Sequence, residues 1–135
     1  MIRESEDFLQ SQQVRPRGLS LKALVVDDEP DVLETSSDLF RLMGFDVLSA
    51  SCGTDAIELL ECTPDIDVLF TDVLMPGMSG VRLAHEARRL VPGIKVILFS
   101  GFPGFAMDAN AGEPAEFPFL MKPVLLSELA VVLRR

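Results

Sequence analysis

The stretch LFTDVLMPGMSG, residues 69–80, joins an apolar run, a lone acid, a Pro-Gly turn and the start of a helix. The run before Asp72 is apolar without polar alternation, which is typical of a strand covered on both faces in a parallel sheet. Pro76 and Gly77 then turn the chain, and Ser79 can cap the next helix. The stretch therefore predicts a strand–turn–helix unit that fixes one carboxylate at the end of a buried strand.

The same order of strand and helix recurs along the chain. Apolar runs predict five strands, LKALVV, FDVLSA, IDVLFT, IKVILF and FPFLM, and helical spacing of apolar residues follows the first three strands and the last. The crossover at residues 101–116 is ambiguous because it holds three glycines and two prolines. Apolar strands separated by helices predict an α/β fold, a doubly wound parallel sheet with helices on both faces.

Length and charge narrow the class of protein. The 135 residues suit one folded domain at 21–135, after a polar stretch at 1–20 that we expect to be a flexible leader. The net charge of −9 argues against nucleic-acid binding, since phosphates require a basic surface. There is no apolar stretch of roughly 20 residues and no signal-peptide pattern, so we expect a cytoplasmic protein without a membrane partner. Cys52 and Cys62 are then interpreted as reduced thiols.

Polar side chains stand where the predicted strands end. The first strand ends at Asp27 and Asp28, the third at Asp72, the fourth at Ser100 and the fifth at Lys122. Because the carboxyl ends of parallel strands share one edge of the sheet, these side chains are expected to converge there. Two carboxylates about 4 Å apart repel by roughly 4 kcal/mol at an effective dielectric of 20, so the cluster favours a cation.

The chemistry of this cluster favours Mg²⁺ and phosphoryl transfer. Oxygen ligands in small number suit Mg²⁺, which retains water and accepts phosphate oxygens. A metal beside Lys122 would form a positive clamp for a phosphoryl group. Asp72 is then interpreted as a nucleophile that accepts the phosphoryl group as an acyl phosphate.

Each of these residues also has a plainer interpretation. Asp27 and Asp28 can cap the first helix, and Lys122 and Ser100 can be ordinary turn residues. His85 lies in HEARR, which is similar to the phosphorylated histidine box of sensor kinases. It falls in the middle of a helix, however, so a solvated helix surface is the favoured interpretation.

Four motifs, VVDDEPDV, TDVLMPGMSG, ILFSG and LMKP, together resemble the response-regulator receiver domain of two-component signalling, and the resemblance covers Leu21 to Arg135. It implies a flavodoxin-like five-stranded sheet in the order 2-1-3-4-5. It also implies a role for each site residue: Asp72 as phosphoacceptor, Asp28 as direct Mg²⁺ ligand, Asp27 as a ligand mainly through water, the backbone carbonyl of Leu74 as a further ligand, Ser100 as switch hydroxyl, Lys122 as partner of a phosphate oxygen, and Phe119 as the aromatic that rotates inward on activation.

The resemblance also implies partners. The phosphoryl donor would be a phosphohistidine on a sensor histidine kinase or a histidine phosphotransfer protein. The domain would phosphorylate and dephosphorylate itself without being a turnover enzyme. Phosphorylation would switch the surface made by residues 101–116, the fifth strand and the last helix, which can also form a homodimer. Residues 101–116 resemble C-terminal receivers of hybrid histidine kinases, and no output domain is expected after the last helix.

Three other functions stay open at this point. The fold could serve as an interaction module that needs no phosphorylation, although the complete set of five site residues argues against it. It could be a phosphate sink or the receiver part of a hybrid kinase system. A Mg²⁺-dependent phosphatase with an aspartyl intermediate would need a second acid two residues after Asp72, where Leu74 stands.

Overall fold

The computed structural model describes residues 20–101 and 117–134. Over these residues the chain forms five strands and four helices: β1 Lys22–Val26, α1 Pro30–Leu42, β2 Asp46–Ala50, α2 Gly53–Cys62, β3 Val68–Asp72, α3 Gly80–Leu90, β4 Lys95–Ser100, β5 Phe119–Met121 and α4 Leu126–Leu133. The predicted leader and the ambiguous crossover fall almost entirely outside the described residues, so the domain boundaries stay a prediction.

The five strands form one parallel sheet in the order β2-β1-β3-β4-β5. The predicted α/β class and strand order are both confirmed. β3 lies at the centre with β1 and β4 on either side, and the register pairs Val26 with Thr71 and Asp72 with Phe99. The carboxyl ends of β1, β3 and β4 are therefore brought to the same edge of the sheet.

A separate hydrophobic core covers each face of the sheet. On one face, Leu24, Leu69 and Val96 pack with α2 and α3. On the other face, the aromatic side chains Phe40, Phe70 and Phe99 pack with α1 and α4. The rings of Phe70 and Phe99 are stacked with centroids 4.2 Å apart, and the rings of Phe40 and Phe70 are 5.3 Å apart. Burial on both faces explains why the strands are apolar throughout rather than alternating.

Local signals set the ends of the helices. α1 begins with Pro30, where a missing N–H costs nothing, and Gly44 follows its end with a φ of 91° that favours glycine. The Ser79 Oγ accepts a hydrogen bond from the Arg82 N–H at 3.2 Å, as predicted for the cap of α3. α4 begins after Leu125, which has no capping side chain. Its N–H instead donates to the Glu128 carboxylate at 3.2 Å.

The edge strand and the buried face of α1 differ in detail from the sequence patterns. β5 spans three residues, because Pro118 ends the ladder and leaves only its carbonyl to accept from the Leu98 N–H at 2.9 Å. Ser36 and Ser37 are buried on α1, where apolar periodicity alone would not have placed them. Within the described part of the chain, no helix is long and apolar enough to cross a membrane.

Candidate functional site at the carboxyl ends of the strands

Three carboxylates meet where the neighbouring strands β1 and β3 end. Asp27 and Asp28 follow β1 and Asp72 is the last residue of β3. One oxygen from each of the three carboxylates lies within 4.8 Å of the others, which is close enough to share a cation. The predicted convergence of these acids at one edge of the sheet is therefore present in the fold.

Asp27 is completely buried and both of its carboxylate oxygens are engaged. Oδ1 accepts a hydrogen bond from the Glu29 N–H at 2.8 Å. Oδ2 accepts one from the Lys122 Nζ at 3.1 Å, across 95 residues of sequence. Asp27 therefore anchors the ammonium group of Lys122 and holds the turn that leads into α1.

Lys122 also reaches the second buried acid. Its Nζ lies 3.4 Å from Asp72 Oδ2 and 5.0 Å from the centroid of the Phe99 ring. Burial lowers the pKa of Lys122, but the hydrogen bond to Asp27 and the charges of both carboxylates outweigh that effect and raise the pKa above its usual value. The ammonium group is therefore charged at neutral pH.

Asp72 is only 5% exposed, and its carboxylate lies in an unfavourable electrostatic environment. Burial raises its pKa, the charge of Lys122 opposes this rise, and the charge of Asp27 adds to it. Its Oδ1 accepts a long hydrogen bond, 3.4 Å, from the Leu74 N–H. One ammonium group does not offset the charge of three clustered carboxylates, so the cluster as a whole suits a divalent cation.

A small cavity opens beside these acids. Its volume is about 220 Å³, and its walls include Asp28, Leu74, Ser100 and Gly101. Asp28 is exposed, so its carboxylate can bind a ligand from solvent, whereas Ser100 is buried at the end of β4. Asp28, the buried acid Asp72 and Ser100 all line this cavity, which is large enough for a metal ion and a phosphoryl group.

Two other predicted residues have defined positions. Phe119 begins β5, is partly buried and packs against the core on the α2 and α3 face. His85 is exposed on α3, as predicted, and the edge of its ring contacts Phe117 with centroids 5.2 Å apart. His85 is not among the residues that line the small cavity.

Backbone contacts around Asp72 were not predicted from the sequence. The buried Thr71 Oγ1 donates to the backbone carbonyl of Asp72 at 3.0 Å. Gly80 lies so close to the same carbonyl that no side chain would fit. The glycine at position 80 could have indicated a close backbone approach from the sequence alone. Nothing in the sequence indicated the hydrogen bond of Thr71.

A family profile described as response regulator receiver domain matches residues 23–134. This chain belongs to that family. The receiver is 34% identical over 116 residues to the sensor kinase CckA of Brucella abortus, with 85% of this chain but 12% of that protein covered. It is 29% identical to the response regulator receiver protein CpdR of the same organism, over 80% of this chain and 89% of that protein.

Solved structures give the same result. A response regulator receiver domain protein from Clostridium thermocellum matches with a TM-score of 0.71 and 32% identity, covering 84% of this chain and 90% of that one. The receiver domain of the hybrid histidine kinase CckA matches with a TM-score of 0.66 and 33% identity, covering 81% and 92%. Among curated relatives, the receiver spans 12% of CckA and 29% of a cyclic di-GMP phosphodiesterase of Thermotoga maritima.

Proposed function

We propose that this receiver accepts a phosphoryl group on the carboxylate of Asp72 from a phosphohistidine of a sensor histidine kinase or a histidine phosphotransfer protein. The observation that carries the proposal is the gathering of three carboxylates within 4.8 Å of one another, with the Lys122 ammonium 3.4 Å from Asp72. Such a concentration of charge on a buried acid is costly to the fold, and costly arrangements of this kind are typical of functional sites.

In the proposed reaction, an oxygen of Asp72 forms a bond to phosphorus while the phosphorus–nitrogen bond of the donor breaks. The electron pair of that bond stays with the imidazole nitrogen, and the phosphoryl group remains on Asp72 as an acyl phosphate. Lys122, whose ammonium group donates a hydrogen bond to Asp27, would bind a phosphoryl oxygen. Ser100 lines the same cavity, and its hydroxyl is the proposed second partner of the phosphoryl group.

The donor set fits Mg²⁺. Asp28, Asp72 and the backbone carbonyl of Leu74 would hold the ion, and Asp27 would contribute mainly through water because both of its oxygens already accept hydrogen bonds. When bound, the ion would offset the clustered negative charge and polarise the phosphoryl oxygens. The exposure of Asp28 supports its assignment as the direct ligand.

Phosphorylation is proposed to switch an output surface through Ser100 and Phe119. Met121, Leu125 and Leu126 are 41%, 57% and 42% exposed, which gives the region around β5 and the start of α4 an apolar surface suited to a partner or a second copy. The proposed switching surface comprises the crossover at residues 101–116, β5 and α4. The domain would then act as a signalling switch of the cytoplasm and not as a turnover enzyme.

A second candidate is the receiver part of a hybrid kinase system, acting as an intermediate or a sink for phosphate. The similarity to the sensor kinase CckA and to a receiver domain of a hybrid histidine kinase favours it. Both candidates require phosphorylation of Asp72 and differ only in where the phosphoryl group or the signal passes afterwards.

The test is labelling by acetyl phosphate in the presence of Mg²⁺, followed by mass spectrometry of the intact protein and its peptides. Wild type is expected to gain one phosphoryl group, mapped to Asp72, and Asp72→Asn is expected to gain none. Asp65→Asn is the matched control, because it removes an acid at the opposite end of the sheet. Full labelling of Asp72→Asn would contradict the proposal.

A further inference from the structure

Thr71 is the residue of β3 directly before the proposed phosphoacceptor, and its side chain is completely buried. Its hydroxyl donates a hydrogen bond to the backbone carbonyl of Asp72 at 3.0 Å. The ladder between β1 and β3 ends at the pair Val26–Thr71, so this carbonyl lies past the last paired residue on that side. The Thr71 hydroxyl therefore supplies a donor at the point where the ladder to β1 stops.

Gly80 contacts the same carbonyl from the start of α3. A Cβ atom at Gly80 would lie 2.0 Å from the Asp72 carbonyl oxygen and 2.8 Å from its carbonyl carbon. The Gly80 N–H donates to the next carbonyl, that of Val73, at 2.8 Å. The peptide group after Asp72 is thus fixed by a hydroxyl on one residue and by the close approach of another.

The carboxylate of Asp72 has weaker direct restraints than its backbone. Its hydrogen bond from the Leu74 N–H and its contact with Lys122 Nζ are both 3.4 Å long. The direction in which the carboxylate leaves the strand, and the position of the Leu74 carbonyl two residues later, both depend on the orientation of the Asp72–Val73 peptide. A reacting group must be held to within a fraction of an ångström for efficient attack.

We propose that Thr71 is a positioning residue for the phosphoacceptor, because its buried hydroxyl, together with the close approach of Gly80, fixes the backbone that aims the Asp72 carboxylate and the Leu74 carbonyl. This inference rests on the proposed phosphorylation of Asp72. It predicts that the hydroxyl of Thr71 contributes to the rate of phosphoryl transfer and to Mg²⁺ affinity without touching either group.

The experiment compares two substitutions of Thr71. Thr71→Val keeps the shape and loses the hydroxyl, whereas Thr71→Ser keeps the hydroxyl and loses a methyl group. Ser37→Ala is the control, since it removes a buried hydroxyl from α1 that makes no hydrogen bond within the described part of the chain. For each variant, the labelling rate with acetyl phosphate, the Mg²⁺ affinity by titration calorimetry and the unfolding midpoint are measured.

Thr71→Val is expected to slow labelling and weaken Mg²⁺ binding by about fivefold each, the effect of losing one hydrogen bond. Thr71→Ser and Ser37→Ala are expected to stay within about twofold of wild type. Equal labelling and Mg²⁺ affinity for wild type and Thr71→Val would overturn the inference, and so would equal losses in Thr71→Val and Thr71→Ser. Wild type that is never labelled would instead overturn the proposed function itself.

Discussion

The two ends of the same sheet differ in how their charged side chains are paired and buried. At the amino end, the Lys22 ammonium pairs with the Asp65 carboxylate at 2.7 Å, and the Lys22 N–H donates to Asp67 at 2.8 Å. The Lys22 and Asp65 side chains are 28% and 43% exposed, so both charged groups remain partly hydrated. At the carboxyl end, three carboxylates lie close together, two of them are buried, and the ammonium group of Lys122 contacts those two.

This comparison distinguishes charged groups that stabilise the folded state from a charged group, the Asp72 carboxylate, that destabilises it. At the amino end the Lys22–Asp65 ion pair is in contact with solvent, where such a pair contributes at most about 1 kcal/mol. The carboxyl end holds an excess of negative charge at Asp72, whose pKa is raised chiefly by burial. The excess negative charge at Asp72 does not stabilise the fold, so it is best explained by the chemistry of the site.

The largest difference between the two ends is expected when their lysines are replaced. Lys122→Met removes the cation that contacts Asp27 and Asp72, so labelling with acetyl phosphate should fall at least about 100-fold. The buried Asp27 would also lose its ion-pair partner, which should lower the free energy of unfolding by about 2 kcal/mol or more. Lys22→Met at the amino end should leave labelling unchanged. Comparable losses of labelling in both variants would remove the contrast.

Neutralising one acid at each end should change stability in opposite directions. Asp72→Asn should raise the free energy of unfolding at neutral pH without Mg²⁺, by on the order of 1 kcal/mol after solvent screening, because it relieves the carboxylate cluster. Asp65→Asn should lower it by less than about 1 kcal/mol, since an exposed ion pair is lost.

The stability gained by Asp72→Asn is expected to depend on pH, in a direction set by the pKa of Asp72. The pKa of Asp72 is raised in the folded state, so the folded protein retains this proton at pH values where the unfolded chain has lost it. The stabilisation from the protonated form is full in acid and is lost as pH rises through the raised pKa. The advantage of Asp72→Asn over wild type should therefore grow from acid to neutral pH, which denaturant unfolding followed by circular dichroism measures. A difference in the free energy of unfolding between Asp72→Asn and wild type that does not change with pH would contradict a raised pKa of Asp72.

The smallest expected effect concerns the lifetime of the acyl phosphate. Leu74 is 48% exposed and lines the small cavity, and its side chain has no donor or acceptor to orient an attacking water. Leu74→Asn should speed the loss of label after the donor is removed by several-fold, well below the roughly 10²–10⁴-fold that a positioned general base contributes. Leu42→Asn, at an exposed leucine at the end of α1, is the control and should not change the decay. Equal or slower decay of Leu74→Asn would mean that access of water controls the lifetime.

Most of the fold could be predicted from the sequence because each strand is a short apolar run next to a clear turn or capping signal. The helix that follows the second strand, α2, and the strand order 2-1-3-4-5 match the predictions. The convergence of Asp27, Asp72 and Lys122 was also predictable, since residues at the ends of parallel strands must share an edge. The roles assigned to these residues in phosphoryl transfer stay predictions.

Other features depend on distances that no local pattern encodes. The hydrogen bond from Lys122 to Asp27 links residues 95 positions apart. Which oxygen of Asp27 accepts from Lys122 and which from the Glu29 N–H is visible only in the structure. The burial of Ser36 and Ser37 follows from how α1 lies on the sheet, and small hydroxyl side chains give no periodic signal. The contact of Thr71 with the Asp72 carbonyl is likewise visible only once the end of the β1 ladder is known.

The excess negative charge at the carboxyl end is expected to require a divalent cation before Asp72 can be phosphorylated. The most direct measurement is intact-mass spectrometry of the receiver incubated with acetyl phosphate over a titration of Mg²⁺. We expect no labelling without the ion and saturable labelling of Asp72 as Mg²⁺ is added, with Asp28→Asn shifting the titration to higher Mg²⁺. Labelling of Asp72 at full rate in the presence of a chelator would contradict this requirement.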